Sequence, residues 1–353
     1  MSYCETTEMS ISKKTYIKKE KIGEGSYGSV FLGKYNGNDY ALKYNNKDYF
    51  NNNFLREMSI LKLVHNNNNN VVCCEDIIHD KNSIICVMKY YDCDLDDVLV
   101  NGDMECFCYV NMMKQLLISL SYLHKNNIIH RDIKPNNFLI KDDEIFISDF
   151  SISKIICENE ISGNYNSFNT FNDKYKAPEV KNKENFSFPA DIWALGIVFL
   201  EIYFNRKIPI KEINTYRKIL KKINLINDYN IKKLILEMLN PHKYKRKTGE
   251  ELLEKYFNYT ENFEKVFSVN SYDYNDLMEN GEIEEFIEEF EIKNNITINQ
   301  AKKYMSVIDD CYPRFAIILA SMIHEPKELD IEYEDEYREE HLNMIKELDY
   351  CVY

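Results

Sequence analysis

Hydrophobic and polar positions follow two regimes along this chain. In the first, short apolar runs alternate with polar turns. Ser29 to Lys34 alternates with a period of two and predicts a strand, and Ser83 to Met88 and Ile145 to Ser148 read as further strands. Between the first two, Phe54 to Leu61 carries a helical pattern. In the second regime the period lengthens. Ile192 to Phe204 is apolar almost throughout, which predicts a helix buried on most sides. Beyond Ser271, the residues Ile283, Phe286, Ile287 and Phe290 share one helical face with glutamates opposite. Ala301 to Asp309, the apolar run Phe315 to Ile323, and Glu339 to Leu348 predict three more helices.

One polar stretch breaks the first regime. His130-Arg131-Asp132-Ile133-Lys134-Pro135-Asn136-Asn137 sits between the apolar runs Ile128-Ile129 and Phe138-Leu139-Ile140. Phosphoryl transfer needs a carboxylate to orient the attacking hydroxyl, an ammonium near the transferred group, and an amide oxygen for a metal. Asp132, Lys134 and Asn137 supply these types in that order. Upstream, Ile22-Gly23-Glu24-Gly25-Ser26-Tyr27-Gly28 carries glycines spaced G-x-G-x-x-G. Dinucleotide-binding loops share that spacing but open a helix, whereas here the chain continues as a strand. The pattern therefore predicts a strand–turn–strand flap, with glycine letting backbone N–H groups approach phosphate oxygens.

These motifs resemble the eukaryotic-type Ser/Thr protein kinases over residues 16–258, most closely the cyclin-dependent kinases. The resemblance implies ATP with Mg²⁺ or Mn²⁺ as cofactors and Asp132 and Lys134 as catalytic residues. Lys43 would meet the nucleotide phosphates and pair with Glu57 of the helix Leu55 to Lys62. The flap would contribute Ile22, Gly23, Glu24, Gly25, Ser26, Tyr27, Gly28 and Val30. Ala41 and Met88 would lie beside the base, Lys89 and Tyr91 would bind its edge through backbone groups, and Asp94 would face the ribose. Asn137 and Asp149 would hold the metal. Asp149-Phe150-Ser151 departs from the family's D-F-G by replacing glycine, which removes easy access to φ > 0. That departure keeps a second reading open: a pseudokinase or scaffold that binds nucleotide or partners without turnover.

Further along, Ala177-Pro178-Glu179 matches A-P-E, with Arg246 placed to pair with Glu179. Asp191-Ile192-Trp193-Ala194-Leu195-Gly196 matches the helix whose aspartate braces the catalytic loop. Lys134 suits Ser/Thr rather than Tyr substrates, so proteins bearing Ser or Thr are the expected substrates. Counted back from Ala177 as in cyclin-dependent kinases, Ser167 falls at the phosphoacceptor position of the activation segment, with Ser162 and Thr170 as nearby competitors, and Arg56, Arg131 and Lys154 could meet a phosphate there.

Charge changes the picture at the C-terminal end. Residues 271–353 hold 22 Asp and Glu against 7 Lys and Arg, while the rest of the chain holds 36 against 37. The formal net charge of −14 therefore resides in that segment. The stretches Ile318 to Met322 and Met344 to Tyr350 look like part of a cyclin box, which implies a cyclin-like activator in cis or in trans; the alternative is an acidic helical extension docked on the basic surface of the lobe. Ten cysteines without paired C-x-x-C spacings predict reduced thiols, and no apolar run approaches a membrane span. An intracellular protein of cytoplasm or nucleus, with no membrane and no nucleic-acid partner, is expected. The expected fold is α+β: a bilobal protein kinase fold with a small β-rich lobe, a large helical lobe and an additional all-α C-terminal segment. The expected boundaries are an N-terminal tail 1–15, lobes 16–91 and 92–260, and an acidic helical segment 271–353.

Overall fold

Alternating side chains and tight polar turns build the first unit as a sheet. The computed structural model describes residues 14–25, 28–46, 57–58, 60–61, 64, 70–79, 83–103, 107–155, 173–184, 186–260 and 331–333. The first unit contains β1 (Tyr16–Gly25), β2 (Gly28–Tyr35), β3 (Asn38–Asn46), β4 (Asp76–His79) and β5 (Ser83–Lys89). They run antiparallel in the order β1-β2-β3-β5-β4. Asn36 and Gly37 turn β2 into β3 with φ of 49° and 80°. Both angles lie in the left-handed region that an Asn-Gly hairpin needs. One face buries Tyr16, Leu42, Tyr44, Ile78, Ile85 and Val87, with Phe31, Tyr35 and Tyr40 packed against them. Lys18 is buried in this aromatic layer, its Nζ 3.7 Å from the centroid of Phe31 and 4.4 Å from that of Tyr44. Burial also pushes the Tyr16 phenol pKa upward.

A sixth strand joins this sheet from the other end of the chain. Within the segment expected to be all-α, β11 (Ile331–Tyr333) pairs parallel with β1, Tyr16 opposite Ile331. That segment is therefore not wholly helical. A β-branched residue and an aromatic flanking Glu332 suit a strand, and β1 offers the open edge that stabilises so short a piece. The helices expected around 283–290, 301–309, 315–323 and 339–348 lie outside the described residues.

The second unit is mainly helical. A short strand β6 (Cys93–Asp94) leads into α1 (Leu95–Asn101), then α2 (Tyr109–Lys125) and β7 (Ile128–Ile129). A 3-10 turn at Pro135–Asn137 precedes the hairpin β8 (Phe138–Lys141) and β9 (Glu144–Ile147), closed by Asp142 and Asp143 in left-handed conformation. Next, β10 (Lys154–Ile155) pairs antiparallel with β7. The remaining helices are α3 (Pro178–Lys181), α4 (Phe188–Tyr203), α5 (Ile210–Ile213), α6 (Tyr216–Ile223), α7 (Tyr229–Met238) and α8 (Gly249–Phe257).

The apolar run that predicted a deeply buried helix is α4, with every residue from Ala190 to Ile202 buried. It packs against α2 and α7, and α2 packs in turn against α8 and β9. Glu57, Met58, Ile60 and Leu61 are helical and buried, as their spacing predicted. Cys73, Cys74, Cys86, Cys93 and Cys108 are free thiols, and no helix among the described residues is long and apolar enough to cross a membrane.

Candidate active site

The loop from His130 to Asn137 has little regular structure, so side chains must satisfy its backbone. Asp191, buried near the start of α4, does most of this. Its Oδ2 accepts from the backbone N–H of His130 at 2.8 Å and its Oδ1 from that of Arg131 at 3.0 Å. Hydrogen bonds to a charged acceptor contribute about 1.5–3 kcal/mol each. They hold Arg131 at φ 70°, a conformation that a long side chain seldom adopts. The third bond to this carboxylate comes from His124 Nε2, 3.1 Å from Oδ2.

His130 is fully buried and organises the other side of the loop. Its Nδ1 accepts from the backbone N–H of Asp132 at 3.2 Å, which assigns the ring proton to Nε2. Nε2 then donates to the carbonyl of Ser148 at 2.9 Å. Ser153 Oγ donates to the carbonyl of His130, and the Phe150 ring lies edge-on at 5.3 Å. The loop is thereby fastened both to α4 and to the segment following β9.

Lys134 Nζ lies 2.5 Å from Asp132 Oδ2. Asn137 Nδ2 donates to the Asp132 carbonyl at 2.7 Å and to the same Oδ2 at 3.1 Å. Asp132 Oδ2 thus holds two partners, while Oδ1 accepts no hydrogen bond among the described residues. With its nitrogen committed, the Asn137 amide has its oxygen left for a cation. Ser148 donates to the Asn137 carbonyl through both its N–H, at 2.9 Å, and its hydroxyl, at 3.0 Å. The next residue, Asp149, is thereby anchored beside the Asn137 turn. An amide oxygen and a carboxylate are hard donors and fit Mg²⁺ or Mn²⁺.

The missing D-F-G glycine does not strain this conformation. Asp149, at φ 63°, occupies the left-handed region, and Ser151 does not. Aspartate tolerates that region better than most residues. The Ser151 N–H donates to Asp149 Oδ1 at 3.3 Å, and Phe150 and Ser151 are both buried.

Glu179 and Arg246 form the expected pair. Nη1 and Nη2 of Arg246 meet the two carboxylate oxygens at 2.5 and 2.7 Å, and both side chains are buried. The guanidinium also donates to the carbonyls of Asn240 and Pro189, and it lies over Trp193. A second buried carboxylate, Glu201, carries no motif in the sequence. It accepts from Lys174, from the Tyr175 hydroxyl at 2.9 Å and from the Ile208 N–H at 2.8 Å. Burial and the neighbouring Glu201 push the Tyr175 phenol pKa up, while burial lowers that of the Lys174 ammonium.

In the sheet unit, Gly23 faces Val30, Glu24 faces Ser29 and Gly25 faces Gly28. This is the expected strand–turn–strand arrangement. Ser26 and Tyr27 at its tip lie outside the described residues. Among the described residues, a Cβ at Gly23 would meet Val30 alone, at an ordinary 3.8 Å. The protein's own packing therefore does not demand glycine there, and a side chain would fill space open to a ligand. Lys43 lies mid-strand between Val30 and Cys86, and Ala41 between Leu32 and Met88. Lys89 is exposed, 3.9 Å from Glu75.

Lys43 belongs to the sheet unit, whereas Glu57, Tyr91 and Asp94 belong to the helical one. Tyr91 packs its ring 5.1 Å from Phe146. Asp94 is the N-cap of α1, its Oδ1 accepting from the Asp97 N–H at 2.8 Å, and burial raises its pKa. Arg56, Ser162, Ser167 and Thr170 lie outside the described residues. A family model described as the protein kinase domain matches residues 16–258 of the 353.

Proposed function

The chain belongs to the protein kinase family, and from that premise we propose that it transfers the γ-phosphoryl group of ATP to Ser or Thr hydroxyls of protein substrates. The two-sided Asp132 carboxylate carries the reading. One oxygen is fixed by Lys134 and Asn137, and the other is left to orient an alcohol and accept its proton. As the alcohol oxygen bonds to phosphorus, the bond from phosphorus to the β–γ bridging oxygen breaks, and ADP leaves. The Lys134 ammonium, held at the same carboxylate, is in reach to balance charge on the moving phosphoryl group. Asn137 and Asp149 would hold Mg²⁺ or Mn²⁺, which when bound offsets the charge of the β- and γ-phosphates.

The same reading assigns the Gly23 to Gly28 hairpin to the phosphates. It pairs Lys43 with Glu57 and sets the base beside Ala41 and Met88. Asp94 would offer the ribose only the oxygen not used in capping α1. Lys134 supports Ser/Thr over Tyr substrates, and the wider motif set supports kinship with cyclin-dependent kinases. Ser167 is the proposed activating phosphosite, and the acidic C-terminal segment the proposed cyclin-like activator.

The deciding measurement is ATP turnover with Mg²⁺ on a generic protein substrate, run beside an Asp132→Asn control. The parent should exceed the variant by about 10²–10⁴-fold, the contribution of a positioned base. Equal background in both would instead make the protein a nucleotide-binding scaffold. The same assay on Ser167→Ala and on a chain ending at residue 270 tests the two regulatory assignments, each of which fails if its variant keeps full activity.

A further inference from the structure

A half-open pocket of about 200 Å³ lies at the surface of the helical unit, between the end of α2, the start of α4 and the start of α8. Neither Asp132 nor Asn137 lines it. Phe188, Pro189 and Ile192 form an apolar wall, Lys125 and Lys247 supply positive charge, and Glu250, the partner of Lys125, is the one carboxylate among the described residues of the lining. Gly249 closes another side, packed so tightly on Ser121 that any side chain there would collide with the serine hydroxyl.

The remaining walls include the two residues that brace the active-site loops. His124 is bonded to Asp191 Oδ2, the oxygen that also accepts from the His130 N–H. Its ring lies 4.7 Å from that of Phe188. Arg246 is the partner of Glu179 at the end of the Ala177-Pro178-Glu179 motif. One hollow therefore touches the supports of both the catalytic loop and the segment leading to α3.

We propose that this cavity binds a small aromatic carboxylate, and that its occupancy is transmitted through His124 and Asp191 to the catalytic loop. A cavity of roughly 150 Å³ accommodates benzene, so this pocket, though open to solvent on one side, has room for a single ring with a short polar arm. The ring packs on Phe188 and Ile192. The carboxylate meets Lys125 and Lys247, whose present partners, Glu250 at 3.7 Å and Glu251 at 2.7 Å, are solvent-exposed. Exposed pairs of that kind contribute only about 0–1 kcal/mol, so exchanging them for a ligand costs little. A ring against Phe188 also bears on His124, and any shift there redistributes the bonds that Asp191 makes to the loop. Because such coupling is reciprocal, binding should be visible at the loop without any turnover.

The test titrates the full chain with phenylacetate and, separately, with phenethylamine, which keeps the ring and reverses the charge. Calorimetry should show saturable phenylacetate binding, with the amine about tenfold weaker or worse. Amide exchange at His130 and Arg131 should slow about threefold in the complex. Ile192→Phe, which fills the hollow, should abolish binding. Lys125→Glu with Lys247→Glu, at two surface positions, should weaken binding about tenfold with an unchanged melting curve. The double variant keeps the test decisive if Ile192→Phe does not fold. No binding, equal binding of the amine, full binding by either variant, or unchanged exchange at His130 and Arg131 would overturn the proposal.

Discussion

The glycine hairpin and the catalytic loop are held in opposite ways. In the hairpin, position comes from the backbone ladder of β1 with β2, and the described side chains near its tip, Ile22 and Glu24, are exposed. In the loop, position comes from buried side chains acting on backbone: Asp191 on His130 and Arg131, His130 and Ser148 across to β9 and Asn137, Ser153 on His130. The chemistry explains the contrast. Phosphate oxygens are recognised by N–H groups, which work best where side chains are absent. Proton transfer needs one side chain in one rotamer, which demands that its surroundings be over-determined. One region is defined by what it omits and the other by redundancy.

The sharpest way to break that contrast is to remove a redundant support. Arg246→Ala leaves Glu179 buried and uncompensated, which should cost about 3–5 kcal/mol and appear as a large drop in melting temperature. A melting curve like the parent's would mean that the helical unit is not built on such pairs. The matching change in the hairpin is Gly23→Ala. Its Cβ meets no obstruction, so melting should stay put while KM for ATP rises about tenfold, or ~1.4 kcal/mol. An unchanged KM would remove Gly23 from the phosphate site. Smallest of all should be Ser151→Gly. Since Ser151 does not use the left-handed region, glycine there relieves no strain and adds freedom to the unfolded chain. Chemical denaturation should show a loss of about 0.4–1 kcal/mol with turnover within about twofold. A large gain in turnover would show that the serine restrains the enzyme.

Legibility in the sequence followed the same division. Asp132 and Asn137 could be read because charged and amide groups amid apolar runs have few places where they can be satisfied, whereas Asp191 and the Glu179–Arg246 pair were legible through the resemblance of their motifs to those of protein kinases. The hairpin could be read because alternation resumes directly after Gly28. His124, Ser148, Ser153 and Glu201 could not, since each acts on a group brought near only by the fold. Asp94-Leu95-Asp96-Asp97 carries a helix-capping signal at Asp94, where the resemblance implies a ribose contact, and the structure gives one of its carboxylate oxygens to the cap. The loss of glycine at Ser151 suggested a backbone restriction, yet the positive φ belongs to its neighbour Asp149. The strand β11 left almost no trace, because three residues acquire a conformation from their partner rather than from their own pattern.

That last strand has a consequence for synthesis. Tyr16 leaves the ribosome well before Ile331, its ladder partner, because the helical unit lies between them in the chain. The outer edge of β1 must therefore wait, uncovered, while the whole helical unit is translated, and loop closure over such a separation is slow. During that interval a nascent chain would present a bare strand to its neighbours, so crowded polysomes are where this protein would be most exposed to mispairing between copies.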